Sequence, residues 1–236
     1  MTSAKHRFFC ATPADGFLDE DESGHAIRVL RLKTGDVIEL LDGKGNRHLA
    51  RITETTKRQL FFHVDTTERQ TAPDWNIHIA IAPTKNIDRF EFFLEKCTEI
   101  GITCVTPLLT KNSERKEIKA EKLQKTIVSA LKQSGNLYLP ELRPIMSLKE
   151  FVKIATNDAA QKFVAHCEDD ADKIQLINHV ASPKNVLILI GPEGDFTNDE
   201  IILAKQAGFK PVSLGESRLR TETAGIVACL TVHLKN

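Results

Sequence analysis

Five consecutive apolar residues, Val186-Leu187-Ile188-Leu189-Ile190, run straight into Gly191-Pro192-Glu193-Gly194, and this junction limits the possible folds more than any other stretch. A strand with one wet face alternates apolar and polar residues, whereas an unbroken branched apolar run is dry on both faces. Such a strand belongs inside a sheet that carries helices on each side. The residues beyond the loop mark where the next helix begins. Thr197-Asn198-Asp199-Glu200 fits a capping box, with Thr197 at the N-cap and Glu200 at the third helical position. Phe196 and Ile201 are spaced for a hydrophobic staple, and Gly208 marks the stop. The pattern predicts a strand at 186–190, a tight loop at 191–196 and a helix over 197–207. Open α/β sheets bind ligands just past the carboxyl ends of their strands, and the glycine-bearing loop is in that place.

The same alternation reaches back to Trp75. Residues 77–82 read as a strand, and Ile87, Phe90, Phe93, Leu94, Cys97 and Ile100 form one helix face that Gly101 ends. Residues 103–109 read as strand. Leu123, Ile127, Ala130, Leu131 and Ser134 form a second helix face ended by Gly135, and 162–167 reads as strand. The expected fold class is α/β with a largely parallel sheet. Before Trp75 the pattern differs. Short strand candidates at Val37–Leu41, 48–52 and 60–64 are separated by turn signals at 34–36, 42–46 and 54–57. These predict a small β-barrel. The polar stretch 66–73, ending in Pro73, reads as a linker, which divides the chain into domains 1–72 and 73–236.

Composition excludes several function classes. The chain has 236 residues, 41% hydrophobic and 27% charged, an ordinary globular balance. It has no apolar run long enough to span a bilayer, and residues 1–7 lack the apolar core of a secretory signal, so the expected location is the cytoplasm. The cysteines, Cys10, Cys97, Cys104, Cys167 and Cys229, are scattered without a CxxC pair, and the histidines are dispersed. Neither a metal site nor a disulfide framework is indicated. There is no G-x-G-x-x-G and no G-x-x-x-x-G-K-[ST], which removes dinucleotide oxidoreductases and P-loop enzymes. Formal net charge is zero, so nucleic-acid binding has to rest on local clusters. Between Lys111 and Lys125, six Lys or Arg stand against three Glu, a pattern that on its own also describes a solvated helix face.

A Gly-Pro turn between strand and helix is commonly structural. A second loop gives it a partner. Val212-Ser213-Leu214-Gly215 ends another strand candidate and leads through Glu216-Ser217-Arg218-Leu219-Arg220-Thr221-Glu222-Thr223-Ala224 into an apolar helix reaching about Leu234, with Thr221 as the expected N-cap. Two such loops can wall one pocket, and the helix start adds positive potential. Taken together, Ile190–Gly194, Leu214-Gly215 and residues 219–224 resemble the signature of the RsmE family of ribosomal RNA methyltransferases, of the SPOUT class. Val29-Leu30-Arg31-Leu32 with Gly35-Asp36, Glu95–Gly101, Ser113-Glu114-Arg115 and Gln133-Ser134 are similar to further family motifs, in order, over nearly the whole chain. Three positions depart from the pattern. Asp195 stands where a second glycine is common, Gly24-His25 where paired histidines are common, and Asn136 where arginine often follows.

The resemblance implies a C-terminal SPOUT domain with a deep trefoil knot and an N-terminal PUA-like barrel that binds RNA. It implies S-adenosylmethionine as cofactor, a uridine N3 of small-subunit (16S) ribosomal RNA as target, free or in the assembled subunit, and a homodimer, with no metal and no membrane. The cofactor-binding residues it implies are His166, Cys167, Ile190, Gly191, Pro192, Glu193, Gly194, Leu214, Gly215, Leu219, Thr221 and Ala224. Arg7, Arg31, Lys85, Arg115 and Arg218 are the RNA-binding candidates. Methylation at N3 requires removal of a weakly acidic proton or stabilisation of the resulting anion. Arg220 and Glu222 are the catalytic candidates, although Glu222 equally suits a helix N-terminus. Two rival readings stay open here: a ribose 2′-O RNA methyltransferase of the same fold class, and a cofactor-free RNA-binding module.

Overall fold

The computed structural model describes residues 6–155, 160–181 and 184–236. Residues 1–5, which open the stretch weighed above for a signal sequence, lie outside them. The chain forms two compact units, one of Met1–Ala72 with Val128–Leu139 and the other of Pro73–Ile127 with Pro140–Asn236. A single break at the linker assigns 128–139 to the second domain; in space those residues belong to the first unit.

In the first unit, β1 (Arg7–Phe9), β2 (Val37–Leu41), β3 (Asn46–Thr55) and β4 (Leu60–Arg69) form a four-stranded sheet in that order, and the short helix α1 (Glu20–Gly24) follows β1. β1 runs parallel to β2, while β2–β3 and β3–β4 are antiparallel hairpins. Alternate residues Ile38, Leu40, Ala50, Ile52, Leu60 and Phe62 share a core with Phe8, Leu18 and Ala26, the period-2 burial of a sheet with one wet face. As the small β-barrel expected from the turn spacing requires, the segment after β1 returns to the far strand: Phe17 bridges to Phe61, Leu18 N donates to Leu60 O at 3.0 Å and Phe62 N to Gly16 O at 2.8 Å. Residues 66–69, expected in the linker, continue β4 opposite 46–49. They escaped the strand reading because that end of the hairpin is largely exposed and carries polar residues on both faces. The first unit also takes its share of α3 (Ala120–Ser134). Leu131 and Leu137 bury against Leu41, and the Lys132 ammonium pairs with the buried Glu22 carboxylate.

The second unit carries β5 (Ile77–Ile81), α2 (Ile87–Ile100), β6 (Cys104–Leu109), β7 (Glu141–Leu142), β8 (Met146–Ser147), α4 (Leu148–Ala155), β9 (Gln161–Ala165), β10 (Ile174–Gln175), β11 (Val186–Ile190), α5 (Asn198–Gln206), β12 (Lys210–Ser213) and α6 (Thr221–His233). Its sheet runs β10-β12-β9-β11-β5-β6-β7, with β8 also on β6, and every pairing is parallel. All of β11 is buried, as its composition requires. Leu187 and Leu189 pack with Phe151 and Val152 of α4 and with Ile201 and Ala204 of α5. The pleat turns Ile188 to the opposite face, where α6 packs on β5, β11 and α2. β12 is inserted between β9 and β10 although it follows both in sequence, so the chain end has to pass a connection already made. That crossing is what the expected knot requires, against the usual rule of unthreaded connections.

The caps follow the sequence closely. Thr197 and Glu200 form the reciprocal capping box of α5, with Phe196 and Ile201 both buried beside it. Gly101 ends α2 at φ +110°. The N-cap of α6 is Arg220 rather than Thr221, and it makes no side-chain cap bond.

Gly225 lets α6 approach α2. A Cβ there sits 2.5 Å from Phe93 Cε2 and 3.0 Å from Ile81 Cδ1, both of them buried side chains. Gly225→Ala improves helix propensity, yet it should destabilise the protein by about 1–3 kcal/mol through overpacking. A urea melt equal to or better than wild type rejects this account of the helix contact.

Candidate functional site

The neighbouring strands β12, β9 and β11 all end on the same side of the sheet, and their following loops wall a cavity of about 650 Å³, within the usual size for a small-molecule site. The loop after β9 contributes His166, Cys167 and Lys173. The loop after β11 contributes Gly191, Pro192, Glu193 and Asp195. The loop after β12 contributes residues 214–220, and Thr221 and Ala224 enter from the first turn of α6. The first N–H groups of α6 have no intrahelical partners and receive no side-chain cap from Arg220, so they lend positive potential to that wall.

The second loop is tightly built. Asp195 N donates to Pro192 O at 2.9 Å, and the Glu193 carboxylate turns outward to accept from Lys85 N at 2.9 Å. The Asp195 carboxylate accepts from Phe196 N and from Cys167 N, each at 2.7 Å. The third loop presents bare backbone. Gly215 has φ +142°, a conformation that L side chains rarely adopt, with open space where a Cβ would lie. Ser213 Oγ donates to Gly215 O at 2.7 Å and steadies the turn.

Two cavity-lining groups of the first loop have shifted titration. Burial, followed by the Lys173 ammonium, pushes the His166 imidazole below the usual histidine value, opposed by Asp195 and Asp170. Its side chain is 1% exposed, with Nε2 3.6 Å from Asp170 Oδ2, and neither ring nitrogen has a hydrogen-bond partner. Burial and the neighbouring Asp195 push the Cys167 thiol up, so it stays protonated and is no nucleophile.

The cavity brings together most of the cofactor candidates: His166, Cys167, Ile190, Gly191, Pro192, Glu193, Leu214, Gly215, Leu219, Thr221 and Ala224, with Arg218 and Arg220 beside them. Gly194 is absent from the wall. Its carbonyl accepts from Asn112 Nδ2 at 3.0 Å, and a Cβ there would meet Asn112. Glu222 is also absent. It is buried in the first turn of α6, with Oε1 3.9 Å from Arg89 Nε, where a carboxylate favours the helix dipole. Among the RNA candidates, Arg31 is exposed and left-handed at φ +55°. The Arg7 guanidinium is taken up by Glu39 and by Lys132 O. The Lys85 ammonium pairs with Glu114 at 2.7 Å, and Arg115 donates to the carbonyls of Thr84 and Lys85 at 3.0 and 2.7 Å. Lys173, Gln175, Asp195, Ser213, Glu216 and Ser217 line the cavity without having been singled out as ligands. Lys173 precedes and Gln175 ends the two-residue strand β10, which is too short to show a period. Among the described residues no group of three His, Cys, Asp or Glu is arranged to hold a metal ion, and no helix is long and apolar enough to cross a membrane.

Comparison with known proteins gives consistent matches. Residues 71–233 match the RNA methyltransferase domain family, and residues 18–65 match the RNA methyltransferase PUA domain family. The ribosomal RNA small subunit methyltransferase E of Rickettsia conorii is 30% identical over 219 residues, covering 92% of this chain and 88% of its own. A crystal structure of a "probable rRNA-methyltransferase" from Porphyromonas gingivalis is 39% identical with a TM-score of 0.88, covering 98% of each chain. The ribosomal RNA small subunit methyltransferase E of Neisseria gonorrhoeae, solved bound to S-adenosyl methionine, is 28% identical with a TM-score of 0.80, covering 95% of this chain and 94% of its own.

The depressed His166 value has a defined sign. Below the ordinary histidine value of 6.5 the unfolded chain takes up this proton before the folded one does, so stability is full above pH 6.5 and is lost as pH falls below it. His166→Gln should flatten the decline of stability as pH falls below 6.5. Denaturation series that fall equally steeply in both proteins contradict the buried neutral imidazole.

Proposed function

Because the chain belongs to the ribosomal RNA small subunit methyltransferase E family of RNA methyltransferases, we propose that it transfers the methyl group of S-adenosylmethionine to N3 of one uridine in small-subunit ribosomal RNA. The observation that carries this reading is the three-loop cavity at the ends of β12, β9 and β11, in a chain that shares its family with an enzyme solved bound to that cofactor.

The residues present fit such a group. Gly215 offers backbone and open space, the α6 N-terminus is uncapped, and the unpartnered ring nitrogens of His166 lie in the wall. The backbone of 190–193 and 214–215, with His166, Cys167, Leu219, Thr221 and Ala224, would hold it. Bound there, the cofactor supplies a methyl group activated on a sulfonium. The chain's own contribution is positioning and charge. Arg220, exposed at the mouth beside Arg218, stabilises the negative charge that develops as the uracil loses its N3 proton, or fixes a neighbouring phosphate. Glu222 supports the helix that carries this loop. Arg31 and Arg218, exposed at the surface, are the RNA contacts with the freest reach. Lys85 and Arg115 shape the segment that receives Glu193, and Arg7 braces the first unit. The substrate is the ribosomal RNA, free or in the assembled subunit, and the place of action is the cytoplasm.

The working state is a homodimer. α6 is apolar around its circumference, yet Leu230 and Leu234, one turn apart on one face, are 42% and 75% exposed, and Ile177 beside the helix is 53% exposed. A second copy that covers this stripe accounts for an apolar outer face.

Arg220→Ala should lower methylation roughly 10²-fold, the scale of losing one charge-stabilising donor, with cofactor affinity changed little. The assay offers labelled cofactor to undermethylated small subunits and digests the RNA. Full activity in the variant removes the Arg220 role, and a ribose-methylated product in wild type selects the 2′-O reading. Calorimetry in which wild type fails to take up S-adenosylmethionine selects the cofactor-free RNA-binding module. Leu230→Glu with Leu234→Glu should shift the solution mass from dimer to monomer by light scattering. A wild-type monomer rejects the homodimer.

A further inference from the structure

The geometry points to Asp195 as a positioning residue that preassembles the cofactor pocket by clamping the loop after β11 onto the loop after β9. The inference rests on the methyltransferase reading for its consequence and on the structure for the clamp itself. Asp195 is one of two non-glycine residues with positive φ among the described residues, at +59°. It stands where the family pattern has a second glycine, which occupies such a conformation without cost. Keeping a side chain here requires a compensating interaction, and the carboxylate supplies one. Oδ1 accepts from its neighbour Phe196 N and Oδ2 from Cys167 N, both at 2.7 Å, the short distances of charge-assisted bonds. Asn112 Nδ2 donates to the carbonyl of Asp195 at 3.0 Å and fixes the same residue from outside.

The bond to Cys167 joins two separate walls. β9 and β11 are paired neighbours with Ala165 opposite Ile190, so their loops leave the sheet side by side, and Asp195 ties them at the cavity. Gly191 leaves room for the tie, since a Cβ there would lie 3.1 Å from Asp195 Oδ1 and 3.1 Å from Phe196 N. A glycine at 195 satisfies the backbone and leaves Cys167 N without this acceptor. This chain therefore exchanges a pliable loop for a braced one, and walls held in place before binding raise affinity by lowering the ordering cost.

The test uses the full-length chain as wild type, Asp195→Gly and Asp195→Asn. Glycine accepts the left-handed backbone, so the fold is kept, as a circular dichroism melt verifies. In the free protein, amide exchange at Cys167 should accelerate in Asp195→Gly. Its Kd for S-adenosylmethionine by calorimetry should rise roughly tenfold, equivalent to about 1.4 kcal/mol. KM for the cofactor should rise in parallel while kcat stays within about twofold, as expected when only uniform binding is lost. Asp195→Asn keeps one acceptor oxygen and should fall between the two. Unchanged Cys167 exchange with unchanged affinity in Asp195→Gly overturns the clamp, as does a loss confined to kcat. Wild-type protein that fails to bind S-adenosylmethionine overturns the methyltransferase reading instead, and the exchange measurement still decides the clamp.

Discussion

A strand that is apolar on both faces has to be covered on both faces, and the second unit is arranged around that requirement. β11 lies between β9 and β5, with α4 and α5 on one side and α6 on the other. Parallel pairing aligns the strand ends, so the loops after β9, β11 and β12 open at the same edge and share one cavity. The same requirement governs the chain end. β12 pairs away from the centre, between β10 and β9, while the following helix returns to cover β5 and β11. The chain therefore crosses its own earlier connection to reach the apolar surface that α6 has to bury.

The pocket formed this way consists mostly of backbone and small residues. Gly191 and Gly215 bring main chain to the cavity, and the start of α6 adds unpaired N–H groups. Side-chain chemistry is concentrated at the rim, in Arg218 and Arg220. Such a division suits a reaction in which the reactive group arrives with the cofactor and the protein contributes alignment and charge. The polar groups inside the wall act mainly on one another. Asp195 holds Cys167, Lys173 donates to Glu168 O at 2.6 Å, and Lys205 with the Asp172 N–H holds Asp170 in place. His166 stays neutral among them because burial penalises its charged form.

Elements marked by a regular local pattern, a burial period or a cap, were legible in the sequence. The period of Ile87, Phe90, Phe93, Leu94 and Cys97 became α2, and the capping box at Thr197 became the observed start of α5. Elements whose partners are distant were not. β10 has two residues and is held by pairing with β12, so nothing local announces it. Residues 66–69 read as linker because their strand character comes from β3 opposite them. Leu131 and Leu137 belong with Leu41, a contact between segments far apart in sequence that no local pattern encodes.

The site divides along the same line. The identity of the loops, their glycines and the arginines at 218 and 220 was determined by the sequence, because short-range spacing specifies turns and helix starts directly. Which backbone atoms face the cavity was decided by tertiary structure. Gly194 turned to Asn112, and Glu222 sank beside Arg89. Asp195, legible only as an irregularity, became the bond between two walls. The reason is geometric. A residue's conformation depends on its neighbours in the chain, whereas its hydrogen-bond partner depends on which strands the buried core forces to lie side by side.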